Sequence, residues 1–113
     1  MNIYLYKMIS GTLHVGELLV DEKQNTFKIL EIKGIKEECG TYQKLVKKSD
    51  IGKIDGISAS SYKTFILRDS KEQRVMFINK CIAIENNKIK QLAENIKHIE
   101  HNVCRMIGEL NEL

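Results

Sequence analysis

Arg68 and Arg74 stand six residues apart in the stretch "LRDSKEQR", with Tyr62 shortly before them and Tyr42 further back. A guanidinium forks onto a phosphate through two parallel hydrogen bonds. A tyrosine ring offers a face on which a nucleobase stacks. Lys44 and Lys48, in the run "KLVKKSDIGKIDG", add point charges to the same chemistry. Arg68, Arg74, Tyr62, Tyr42, Lys44 and Lys48 therefore form the candidate binding set for an anionic, nucleotide-like ligand. Each has a plainer role open to it. The arginines can pair with Asp69, Glu72 or water, and lysines commonly protect an exposed edge strand from pairing with another chain.

Other reactive residues fall in patterns that chemistry does not favour. The lysine run has Gly52 and Gly56 but lacks the G-x-x-x-x-G-K-[ST] spacing of a nucleotide-hydrolysing loop. Ser58, Ser60 and Ser61 sit in a polar stretch with no G-x-S-x-G elbow and no base beside them. Asp50 and Asp55 lie in a loop with Gly52 and Lys53 between them, so turn formation accounts for both. His98, His101 and Cys104 follow one another at three-residue steps in "HIEHNVC". Such residues can ligate zinc, but a fourth ligand is lacking and the three belong to the outward face of a helix. No catalytic residue, no metal site and no cofactor is expected.

The elements that would position the binding set divide the chain in two. "NIYLYKMI" and "TLHVGELLV" are rich in β-branched and aromatic residues and are joined by "SG", so they predict a hairpin. The polar run "DEKQN" breaks the pattern at residues 21–25. "TFKILEIK" then places Phe27 and Ile29 on one face and Leu30 and Ile32 on the other, as in a strand covered on both sides. "TYQKLVKK" and "YKTFIL" predict two further strands. "SDIGKIDGISASS", between them, reads as a loop or a short broken strand. Five or six strands in the first 69 residues predict a small antiparallel sheet or partial barrel.

At "RDSKEQ" the period changes from two to 3.6. Asp69 or Ser70 can cap a helix, and Glu72 favours its dipole. From Val75 onward apolar residues keep one heptad phase. Val75, Ile82, Ile89, Ile96, Val103 and Leu110 take the a positions, and Ile78, Leu92, Ile99, Met106 and Leu113 the d positions, with Glu85 the sole interruption. More than five heptads in one phase exceed the three to four that indicate a coiled coil. As one helix this stretch runs roughly 58 Å at about 1.5 Å per residue. No small sheet covers such a length. Ile89, Leu92, Ile96, Ile99, Val103, Met106 and Leu110 are therefore assigned to oligomerisation. A break at Asn86–Asn87, giving two helices folded back in one monomer, is the alternative. Met76, Phe77, Cys81 and Ile84 widen the apolar face near the start, where packing on the sheet is expected. The expected class is α+β: an antiparallel β domain over residues 1–69, then one long heptad-patterned helix over 70–113, forming a single folded unit. Ile and Val at a with both Leu and Ile at d leave the copy number open.

Charge bounds the partners. The net charge is +3; the first 70 residues carry 11 basic and 9 acidic side chains and the rest 7 and 6. Neither half has the basic stripe of a nucleic-acid binder. The three cysteines are distant from one another and odd in number, which suits a reducing cytosol better than a disulfide framework. "MNIYLYKMIS" has no cationic start or long apolar run, so no secretory leader is expected. No segment approaches the roughly 20 apolar residues of a membrane helix. A cytoplasmic protein is expected.

The order of a small β domain, the "FILRDSKEQ" strand-to-helix junction and a long helix rich in Lys, Glu and Asn resembles small phage and prophage proteins of low-GC Gram-positive bacteria. It is similar in architecture to the viral sponge proteins that counter Thoeris defence. That resemblance implies a non-enzymatic, oligomeric counter-defence protein, in the cytoplasm of a bacterial host, that traps a cyclic nucleotide signal without cutting it. It supplies no site residues; those named above rest on their own chemistry. The alternative is an oligomeric interaction module that inhibits a host defence protein by direct docking.

Overall fold

The computed structural model describes residues 1–35, 43–58 and 61–113. Six strands come first: β1 (Asn2–Ile9), β2 (Thr12–Glu22), β3 (Thr26–Lys33), β4 (Leu45–Lys47), β5 (Asp55–Ser58) and β6 (Ser61–Ile66). One helix, α1 (Lys71–Asn111), follows. The strands form one sheet in the order β4-β3-β2-β1-β6-β5. Every pairing is antiparallel. The architecture is α+β, as the change of period predicts. The strand "TYQKLVKK" is short, with β4 occupying only Leu45–Lys47, and its start lies outside the described residues. The glycine- and serine-bearing stretch before β6 does contain a short strand, β5.

The sheet's local geometry follows from particular residues. Ser10 (φ 47°) and Gly11 (φ 83°) both take left-handed backbone between the paired residues Ile9 and Thr12. A two-residue turn of this kind matches the right-handed twist of its strands. β2 runs two residues into the polar run, because Asp21 and Glu22 still pair with Lys28 and Phe27.

In β3 the register shifts: Leu19 faces Glu31 but Val20 faces Ile29, so Leu30 has no partner. This bulge corrects the reading of two apolar faces on that strand. One extra residue reverses the alternation. Phe27, Ile29 and Ile32 then all join one core, while Leu30 is 57% exposed.

That core lies on one face of the sheet. It holds Ile3 and Leu5 of β1, Leu18 and Val20 of β2, Phe27, Val46 of β4 and Phe65 of β6. The sheet curls around it. Lys63 Nζ of β6 donates to Gln43 Oε1, just before β4, at 3.1 Å, although three strands lie between β4 and β6. Gly34 (φ 81°) turns the chain after β3, and a Cβ there would lie 3.1 Å from the Val15 carbonyl oxygen. Gly34→Ala is expected to lower stability by about 1–2 kcal/mol through the left-handed conformation alone. A urea unfolding curve checks this; an unchanged midpoint would show that the turn relaxes freely.

The other face, at the centre of the sheet, carries Tyr6 and Met8 of β1 and Tyr62 and Ile66 of β6, all buried. Phe77 of α1 packs there, its ring centroid 5.7 Å from that of Tyr6. Phe77 and Cys81 are the buried residues of the helix. Ser70 caps α1, its Oγ accepting the Gln73 N–H at 3.1 Å. The chain divides into two compact units, Met1–Cys81 and Ile82–Leu113. The first unit thus includes the opening turns of α1. The second is helical, and α1 continues unbroken through Asn86–Asn87. No helix among the described residues is long and apolar enough to cross a membrane.

Candidate functional site

The strand-to-helix junction gathers its charges into two groups. β6 ends at Ile66, and Leu67–Ser70 turn the chain into α1. Asp69 faces back toward the sheet. Arg74, at the end of the first turn of α1, forks onto it: Nε donates to Oδ1 at 2.9 Å and Nη2 to Oδ2 at 2.6 Å. The Tyr6 hydroxyl, from the middle of β1, donates to the same Oδ1.

These contacts move the protonation equilibria of all three groups. The Arg74 hydrogen bonds hold the Asp69 carboxyl down at about 2, against the opposing effect of burial, with Tyr6 assisting. Burial first, and then the hydrogen bond to Asp69, push the Tyr6 phenol up to about 12. Asp69 in turn raises Arg74. Asp69 is thus an ionised acceptor, fully engaged by a helix residue and a strand residue.

Arg68 is left in a different position. It is exposed and forms no ion pair among the described residues. It lines a shallow groove of about 560 Å³ with Met1, Asn2, Tyr4, Leu67 and Asp69. Because Arg74 neutralises Asp69, the groove keeps the uncompensated positive charge of Arg68. Tyr4 is half-buried and presents the aromatic surface beside that charge. The Asn2 amide is turned away to Glu17, donating from Nδ2 to Oε1 at 2.5 Å.

The six residues of the sequence-derived binding set are not brought together. Arg68 lines the groove. Arg74 belongs to the Asp69 fork, so its removal acts through the junction rather than through a ligand contact. Tyr62 is 4% exposed and paired across from Met8, so its ring is no surface for a ligand borne by solvent. Lys48 is committed to its own fold, pairing with Glu22 at 2.8 Å and lying 5.3 Å from the centroid of the Phe27 ring. Lys44 is exposed beside β4, and its carbonyl accepts the Ile29 N–H at 2.9 Å. Neither lysine lines the groove. Tyr42 lies outside the described residues.

Tyr4 is the residue that sequence reasoning passed over. Its signal was the alternation in "NIYLYK", which sets Tyr4 and Tyr6 on one face and Ile3 and Leu5 on the other. Pairing Tyr4 with Ile66 brings the end of β6 alongside it. Asp50 and Asp55 keep structural roles: the Asp50 carbonyl accepts the Lys53 N–H at 3.1 Å, and Asp55 opens β5. His98, His101 and Cys104 are exposed on α1, and no cluster of three metal-holding residues occurs among the described residues. Compared with protein-family models, curated proteins and solved structures, the chain gives no significant match.

Proposed function

We propose that the protein sequesters a nucleotide-derived, phosphate-bearing signal in the Arg68–Tyr4 groove without altering it, as a counter-defence protein in a phage-infected bacterium. The observation that carries this reading is the unpaired Arg68 guanidinium beside the partly open Tyr4 ring, with the adjacent Asp69 already neutralised by Arg74. A forked guanidinium serves a phosphate, and the ring serves a base. The groove's side chains include no nucleophile with a base beside it, which suits retention of the ligand rather than its conversion.

Native mass spectrometry with a panel of cyclic nucleotides tests the reading. The expected result is a gain of one nucleotide mass per groove, with the nucleotide recovered unchanged after denaturation. Calorimetry should then show Arg68→Ala weakening the bound nucleotide by about tenfold to a hundredfold, as loss of a charge-assisted hydrogen bond implies. Arg68 makes no ion pair among the described residues, so this variant should unfold like the wild type. Cleavage of the nucleotide would overturn the proposal. So would the absence of binding across the panel, which would favour direct docking on a host defence protein.

A further inference from the structure

We infer that the apolar stripe of α1 is the interface with a second copy of this chain, paired helix to helix through residues 89–113. This goes beyond the ligand reading and does not depend on it. Seven residues of the stripe, from Ile89 to Leu110, are each 47–68% exposed in the single chain. The helix does not use this stripe to hold the sheet. At about 100° per residue, Phe77 and Cys81 project about 200° and 240° around the helix from Val75, whereas Ile78 and Ile82 of the heptad rows project about 300° and 340°, so in these turns the two sets are centred roughly 110° apart. Val75, in the same turns, is 46% exposed. The face that packs on the sheet therefore adjoins the heptad face in these turns, with half-buried Ile78 at the shared edge, and leaves Val75 and Ile82 exposed.

Three observations select the occupant. First, a period of 3.5 residues kept over five heptads matches another helix winding about this one, and no sheet or loop presents that repeat. Second, seven large apolar side chains each more than two-fifths exposed form one continuous stripe, apolar surface on the scale of the roughly 800 Å² that each partner contributes to a standard interface. Third, over residues 89–113 the flanking e and g positions are Ala93, Asn95, Asn102 and Ile107, with Glu100 and Glu109. Opposed charges at these positions are what select a different partner. With no basic residue among them these flanks supply no such code, and in a parallel, in-register pair the g-to-e contacts are Asn95 with Glu100 and Asn102 with Ile107, so no like charges meet when the stripe faces its own copy.

Glu85 refines the assignment. It is the one charged residue in the two rows and pairs with Lys88 of its own helix at 3.7 Å. A polar side chain in a core layer limits the stability of the pairing while fixing its register. The interface is therefore strongest after residue 85 and is held below its potential strength by that layer.

Sedimentation equilibrium of the full chain at micromolar concentration tests the inference. The wild type should sediment at a multiple of the single-chain mass. The double variant Ile96→Asp/Ile99→Asp should associate at least about tenfold more weakly, because it would bury unpaired carboxylates. Leu110→Asp provides a second disruption further along the helix. Glu85→Leu should tighten association by about tenfold or more. A wild type that remains at the single-chain mass would overturn the inference, as would unchanged assembly of both Asp variants. All of these substitutions lie outside the groove, so nucleotide titration of the monomeric variant reads the ligand proposal separately.

Discussion

Phe77→Ala is expected to destabilise the first unit by about 3–5 kcal/mol, the range for deleting a buried aromatic ring from a packed site. Phe77 is 3% exposed and lies against the Tyr6 ring at an interplanar angle of 48°. With Cys81 it supplies the buried surface of α1. A cavity at this point faces Tyr6, Ile66 and Met76, which already border an adjoining cleft. The site therefore has open space beside it rather than side chains ready to fill the gap. Domains of this size are stable by only about 5–15 kcal/mol, so the change removes a large fraction of the total. The opening turns of α1 should lose their hold on the sheet before the strands separate. Urea unfolding followed by circular dichroism measures the cost, and hydrogen exchange at residues 71–81 locates it. A loss below about 1 kcal/mol would mean that the Asp69 fork, rather than Phe77, fixes the helix to the sheet.

The comparison of Phe77 with Tyr62 and Tyr4 shows which features can be read along the chain and which cannot. Phe77 and Cys81 are four residues apart on a helix, so their common face is a local property. The Ser10–Gly11 turn, the Ser70 cap and the heptads across Asn86–Asn87 are local in the same sense, and each appears where its residues indicate. β3 departs from its alternation because the bulge at Leu30 exists only in relation to β2. A strand's own sequence does not reveal a partner's register. The groove is harder still. Tyr62 precedes Arg68 closely in sequence, yet its place in β6 buries its ring. Tyr4 is 64 residues away, and only the β1–β6 ladder places it near Arg68. Arg74 was legible as either a ligand contact or a partner of Asp69. Deciding between them needed the direction in which the first helical turn faces the sheet, and Phe77 sets that direction.

Asp69→Ala is expected to cost about 2 kcal/mol near neutral pH, because it leaves the buried Tyr6 hydroxyl without its acceptor and releases the Arg74 fork. The cost should depend on pH in a defined way. Folding lowers the Asp69 carboxyl from its ordinary 3.8 to about 2. The folded state therefore favours the ionised form, and the stabilisation is complete above about pH 4 and disappears as pH falls through about 2. Solvent reaches part of this carboxylate, so the pH-dependent part is set at about 1 kcal/mol rather than at the full shift. Tyr6 acts at the other extreme. Its phenol rises from 10.0 to about 12, so the folded state favours the neutral form. That contribution is complete below about pH 10 and is lost as pH rises through about 12. Between these limits the difference between wild type and Asp69→Ala should be flat. Unfolding free energies of the two proteins, measured from about pH 7 down to about pH 2, should draw about 1 kcal/mol closer on the acid side. Tyr6→Phe, which removes the hydroxyl along with its need for a partner, should cost only about 1 kcal/mol. Combined with Asp69→Ala it should add less than the sum of the two, since both remove one shared hydrogen bond. A difference that stayed constant through the acid range would mean that Asp69 acts by shape at the turn and that its charge is not what holds Arg74. Arg74 would then be available to the groove beside Arg68, and the division of the two arginines between fold and ligand would have to be redrawn.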